Sequence, residues 1–197
     1  MKKLSAVIPF ILSASVLLSC NNKAKNYNAS AAAKDTDSTD VVSDTTSVLH
    51  LAIDKDDSQF AALAAAGAAA EIQLGKMAVA RGRSKKVKNF GNMMIKDHDK
   101  ATNKLIAIAK AKNITLPSTP DTSMQRVITL LSKKSGSDFD KAYIAEMIAA
   151  HQKYVSIFKN VSVTCQDPDL KAFAKKTLPI IQNQLDAINA IHDSMGQ

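Results

Sequence analysis

The stretch SKKVKNFGNMMIKDHDKATNKLIAI, residues 84–108, decides the fold. Within it Val87, Gly91, Met94, His98, Ala101, Leu105 and Ile108 follow one another at intervals of 4, 3, 4, 3, 4 and 3. On a helix of about 3.6 residues per turn this spacing holds all seven on one stripe, while most of the charged residues between them face away. Ser84 offers a hydroxyl N-cap, so the spacing predicts a helix over 84–112. Such a stripe has to be buried against other helices, and here a histidine stands in the middle of it.

The same pattern continues on both sides. Upstream, 59–81 is Ala-rich, with Phe60, Leu63, Gly67, Ala70, Leu74 and Met77 at helical spacing. Its small residues admit a close neighbour, and Glu71, Gln73 and Lys76 exclude a membrane span. Downstream, Leu116-Pro117 through Pro120-Asp121 breaks the chain. A short helix is expected over 122–134, and a third long helix over 138–161, opened by a capping box of Ser137 and Asp140. Tyr143, Met147, Ala150, Tyr154 and Ile157 form its inner face, widened by Ile144, Ile148, His151, Val155 and Phe158. Asp167-Pro168 starts a fourth long helix that runs to Met195 through Leu170, Ala174, Thr177, Ile181, Gln184, Ile188 and Ile191. Pro179 is expected to kink it. The whole chain of 197 residues has 6 Gly, 5 Pro, no Trp and 5% aromatics, a composition that argues against a β-sandwich or barrel. The expected class is all-α: an antiparallel four-helix bundle over 59–197, with a short extra helix between the second and third long ones.

The start of the chain has a different character. Lys2 and Lys3 precede a short apolar run from Ala6 to Leu18, which reads as a targeting segment over 1–19. Its end, Leu17-Leu18-Ser19-Cys20, resembles the lipobox of bacterial lipoproteins. That resemblance implies cleavage after Ser19, acylation of Cys20 and anchoring in the envelope, on the periplasmic face or at the outer membrane. Residues 20–58 are rich in Ser, Thr and Asp and read as a flexible tether. Four lysines stand there against seven aspartates, a net charge of −3. The bundle beyond it carries 20 cationic and 11 anionic residues, a net +9. Only two cysteines occur, which excludes a disulfide framework. Cys165 stands alone before the fourth helix and reads as incidental, and His50 and His192 read as exposed.

Several segments together carry a family resemblance: Phe60-x10-Glu71-x2-Leu74-Gly75, Met94-Ile95-x-Asp97-His98, Phe139-Asp140-x2-Tyr143 with His151, and Thr177-Leu178-Pro179. They resemble the bacterial domain of unknown function 4142 from Phe60 to Ile191. The resemblance implies a ferritin-like helical bundle in an exported, often lipid-anchored protein, with no established reaction. Members often carry a histidine shortly after the Leu-Pro of the last helix, where this chain has Gln184.

Glu71, His98, His151 and Gln184 lie near mid-height of four different helices, so a bundle could bring them together. Carboxylate and imidazole groups from several helices are a way to hold a single zinc or iron ion. Di-iron bundles use Glu-x-x-His, and here Ile95 and Ile148 stand three residues before the two histidines, against a two-metal centre. Asp97, next to His98, points about 100° away around the helix. The plainer reading is a buried polar layer that sets helix register, with no cofactor required. No nucleophile stands beside a base, so an enzyme is disfavoured. Tyr143 and Tyr154 read as core residues with hydroxyls toward the layer, and Met77, Met94 and Met147 as packing.

Arg81, Arg83, Lys85, Lys86 and Lys88 form the densest cationic run, at the start of the second long helix, where positive charge opposes the helix dipole. An anionic envelope lipid or glycan held by free amides and these side chains would relieve that conflict. A solvated corner is the plainer reading. Nucleic acid is disfavoured, because no aromatics interleave with the charges. The sequence thus favours a lipid-anchored envelope protein with a non-enzymatic binding or structural role. A metal-binding bundle and a binder of anionic surfaces are the alternatives.

Overall fold

A computed structural model describes residues 54–195; Cys20, the signal segment and the tether up to residue 53, with His50, lie outside the described residues. The described chain forms α1 (Lys55–Arg81), α2 (Lys85–Ala111), α3 (Thr122–Ser132), α4 (Gly136–Thr164) and α5 (Pro168–Ser194), with no strand among them. Side chains cap four of the five starts. Asp54 accepts from Asp56 N, Ser84 from Lys86 N, Asp121 from Met124 N, and Asp167 from Asp169 N and Leu170 N. Pro168 opens α5, where its missing N–H costs nothing. Pro179 lies inside α5, and the helix continues through it.

Several helix boundaries differ from the sequence reading. The helix expected from residue 59 begins at Lys55, inside the stretch read as tether, and Asp57 is buried. The reason is tertiary: the Asp57 carboxylate accepts from Gln166 N (3.0 Å) and Asp167 N (2.7 Å), in the corner between α4 and α5. The helix expected from residue 138 begins at Gly136, and its N-cap Ser135 makes no side-chain bond. Asp140 does not serve a local capping box with Ser137. It is buried and accepts from Arg83 N (3.1 Å) and Ser84 N (2.7 Å), in the corner between α1 and α2. The α3 helix ends at Ser132, short of residue 134, and α4 runs on to Thr164.

The long helices pack mainly as two pairs, α1 with α2 and α4 with α5. In the first pair the backbones touch: a Cβ on Gly91 would fall 2.6 Å from the Gly75 carbonyl oxygen. Here glycine is required by close approach. Leu63, expected inside, is 38% exposed, and the neighbouring Ala61, Ala64 and Ala65 take the inner face. Lys112, after α2, pairs with Asp167 (2.6 Å) and Asp169 (2.8 Å) at the start of α5, fastening the pairs to each other.

The apolar core divides into two clusters. One contains Leu74, Met94, Phe139, Tyr143, Met147 and Ile188, and the other Phe60, Leu105, Phe158, Leu170, Phe173 and Ile181. On every long helix the change from one cluster to the other falls at a polar residue: Glu71 on α1, His98 on α2, His151 on α4 and Gln184 on α5. The bundle therefore has a polar waist between two apolar halves.

Candidate metal centre

Glu71, His98 and His151 come from three helices, and one ligand atom from each lies within 4.8 Å of the others. Glu71 is 2% exposed, His151 1% and the His98 side chain 14%. His98 Nε2 stands 2.8 Å from Glu71 Oε2 without hydrogen-bond alignment, as an ion pair. His151 Nδ1 is 3.9 Å from Glu71 Oε1 and 2.8 Å from the Met147 carbonyl oxygen. A carbonyl only accepts, so Nδ1 carries the proton and, in the neutral ring, Nε2 keeps a bare lone pair. That Nε2 is buried with no hydrogen-bond partner, and so is Glu71 Oε1. A carbonyl that fixes the tautomer while the other ring nitrogen stays open is the usual support of a metal-binding histidine.

Burial by itself would raise the Glu71 carboxyl and lower the His98 imidazole. The pair's mutual attraction, with help from His151 for the glutamate and from Asp97 and Asp99 for the histidine, outweighs it. Glu71 is held below its ordinary value and His98 above its own, so the contact favours the ionised form of each.

Gln184 is buried at the same level, and its amide nitrogen donates to Asp97 Oδ2 at 3.1 Å, bridging α5 and α2. Its carbonyl oxygen is buried without a hydrogen-bond partner, like Glu71 Oε1 and His151 Nε2. Asp97, read as facing away from the inner stripe, is thus the residue that orients the Gln184 amide. Tyr143 is buried between Phe139, stacked at 5.6 Å, and Phe90 at 6.2 Å, and its hydroxyl has no partner. Tyr154 sits over Gly67, where an added Cβ would fall 2.4 Å from its hydroxyl. Burial, then the charge of Glu71, pushes both phenols far up, so neither ionises near neutral pH. The sequence reading missed Thr102, whose buried hydroxyl also lacks a partner. Its position four residues after His98, on the same helix face, was the available signal.

At the basic corner Arg81, Arg83, Lys85 and Lys86 are exposed and Lys88 is half-buried. Three amides at this corner are already engaged: Arg83 N and Ser84 N donate to Asp140, and Lys86 N donates to Ser84 Oγ. Arg81 donates to the Lys134 carbonyl at 3.4 Å. Cys165 is 3% exposed at the end of α4, and His192 is exposed beside Asp193.

A solved structure described as CopM in the Cu(I)-bound form superposes with a TM-score of 0.61 at 14% sequence identity, covering 72% of this chain and 98% of that one. At that identity the likeness concerns the helical fold. No curated protein sequence matches the chain. The family model described as Domain of unknown function (DUF4142) matches residues 43–191, most of the chain, and the protein belongs to that family.

Proposed function

We propose that the protein is a lipid-anchored component of the bacterial envelope whose antiparallel four-helix, ferritin-like bundle holds one transition-metal ion at Glu71, His98 and His151. One observation carries the metal reading: a carboxylate and two imidazoles from three helices meet within 4.8 Å in a buried layer. Two imidazoles and a carboxylate suit Zn²⁺ or Fe²⁺. The Cu(I) bound by the similar CopM is a softer ion that prefers thiolate and thioether donors, which this cluster does not offer. The role is binding, with no reaction assigned.

Elemental analysis of protein exported to a bacterial periplasm and purified without a His tag or chelator tests the reading. The expected result is near one equivalent of zinc or iron, absent from the His98→Ala and His151→Ala variants. Metal at a hundred times its dissociation constant would add about 2.7 kcal/mol, enough to raise the melting temperature by several degrees. No bound metal, and no rise with added zinc, iron or manganese, would overturn it.

The 2.8 Å Glu71–His98 contact favours a second reading, a charged pair that locks helix register with no ion. Under it the same variants lose stability equally with and without metal.

A further inference from the structure

We propose that the metal held by Glu71, His98 and His151 takes an exogenous ligand of one or two heavy atoms in the cavity beside Glu71 and His98. The inference rests on the metal reading and adds what that metal binds. A cavity of about 30 Å³ lies against both residues. Thr102 and Tyr154 also line it, and Ala68 and Phe173 stand among its apolar walls.

Three features point to a ligand here. Three protein side chains leave a transition metal at least one open position. The volume matches about one water molecule, and in a mostly apolar wall the metal, Thr102 and Tyr154 would be the polar partners that such a molecule needs. The few polar groups in the wall are also of the right kind. The Thr102 hydroxyl is buried without a hydrogen-bond partner, and Gly67 lacks the side chain that would displace the Tyr154 hydroxyl. Both hydroxyls can donate to an oxygen or nitrogen atom on the metal, while the alanines and Phe173 restrict it to a small molecule. Water, hydroxide and neutral diatomics fit that description.

Nitric oxide on the ferrous protein is the probe, because it is diatomic and its iron adduct has a distinct electron-spin-resonance spectrum. The full chain is loaded with Fe²⁺ without oxygen, its iron content is measured, and nitric oxide is titrated in. An adduct stoichiometric with iron is expected. Ala68→Leu, which fills the cavity, should weaken nitric oxide binding at least about tenfold with iron content unchanged. Should that variant lose iron or fail to fold, the near-isosteric Thr102→Val replaces it, with an expected loss of about threefold or more. Iron bound without an adduct, or an adduct equally stable in the variants, overturns the ligand site and leaves the metal reading standing. Failure to bind iron overturns the ligand site, and failure to bind zinc as well overturns both.

Discussion

Glu71 and His98 make opposite demands on pH, and the sign of each follows from its shift. His98 is held above its ordinary value of about 6.5, so its stabilising effect is complete below that pH and fades as pH rises through the raised value. Glu71 is held below its ordinary value of about 4.3, so its effect is complete above that pH and fades as pH falls through the lowered value. The metal-free protein should therefore gain most from the pair between about pH 4.3 and 6.5. Urea melts should show stability falling above that window in the wild type, and a flatter alkaline limb in His98→Gln. Glu71→Gln, which strands the imidazolium, should cost about 3 kcal/mol at pH 6. Cys165 allows a separate check. Burial, then the Asp57 carboxylate, pushes its thiol up to about 12. Against an ordinary thiol near 8.5, alkylation of the folded protein at neutral pH should be about a thousandfold slower than that of the unfolded chain. Equal rates would show that the α4–α5 corner opens freely.

The two aspartates in the corners show where pattern reading stops. Helix cores were legible because their periodicity is local: the stripe from Val87 to Ile108 needs only the sequence of α2. Ser137 and Asp140 looked like a local capping box for the same reason. The partners of Asp140 are 57 and 56 residues away, at Arg83 and Ser84, and no spacing within α4 reveals them. Asp57 likewise reads as the end of a polar tether, although its partners lie 109 and 110 residues on. The two ties share one form, since each aspartate accepts from the N-cap residue of the other pair's second helix and from the residue before it. Asp140→Ala leaves two amides without their acceptor and should cost about 1–3 kcal/mol or more in a denaturant melt. Ser137→Ala, in a position without a capping bond, should stay within about 0.5 kcal/mol. A reversed order of the two effects would restore the local capping box.

Taken together, the helices place a polar waist between two apolar halves, and helix position alone is enough to predict it. Glu71, His98, His151 and Gln184 were legible as a layer because each falls at mid-height of its helix. Which of them would touch was not legible, since side-chain direction depends on neighbours: Asp97 takes the Gln184 amide nitrogen, whereas Glu71, His98 and His151 converge. The proposed lipid anchor belongs to the whole molecule as well. Among the described residues no helix is long and apolar enough to cross a membrane. Under the proposal, membrane retention rests on acylation of Cys20, whose chains would contribute about 0.8 kcal/mol per buried methylene. Cys20→Ala should move the protein from the membrane fraction to the soluble one. The net +9 of the bundle offers a competing means of attachment, so the fractionation needs a salt wash. A variant that stays bound at low salt and leaves at high salt would assign retention to charges such as Arg83, Lys85 and Lys86. One that resists salt as the wild type does would remove the lipid anchor from the proposal, whereas release at both salt concentrations is the outcome the lipobox predicts.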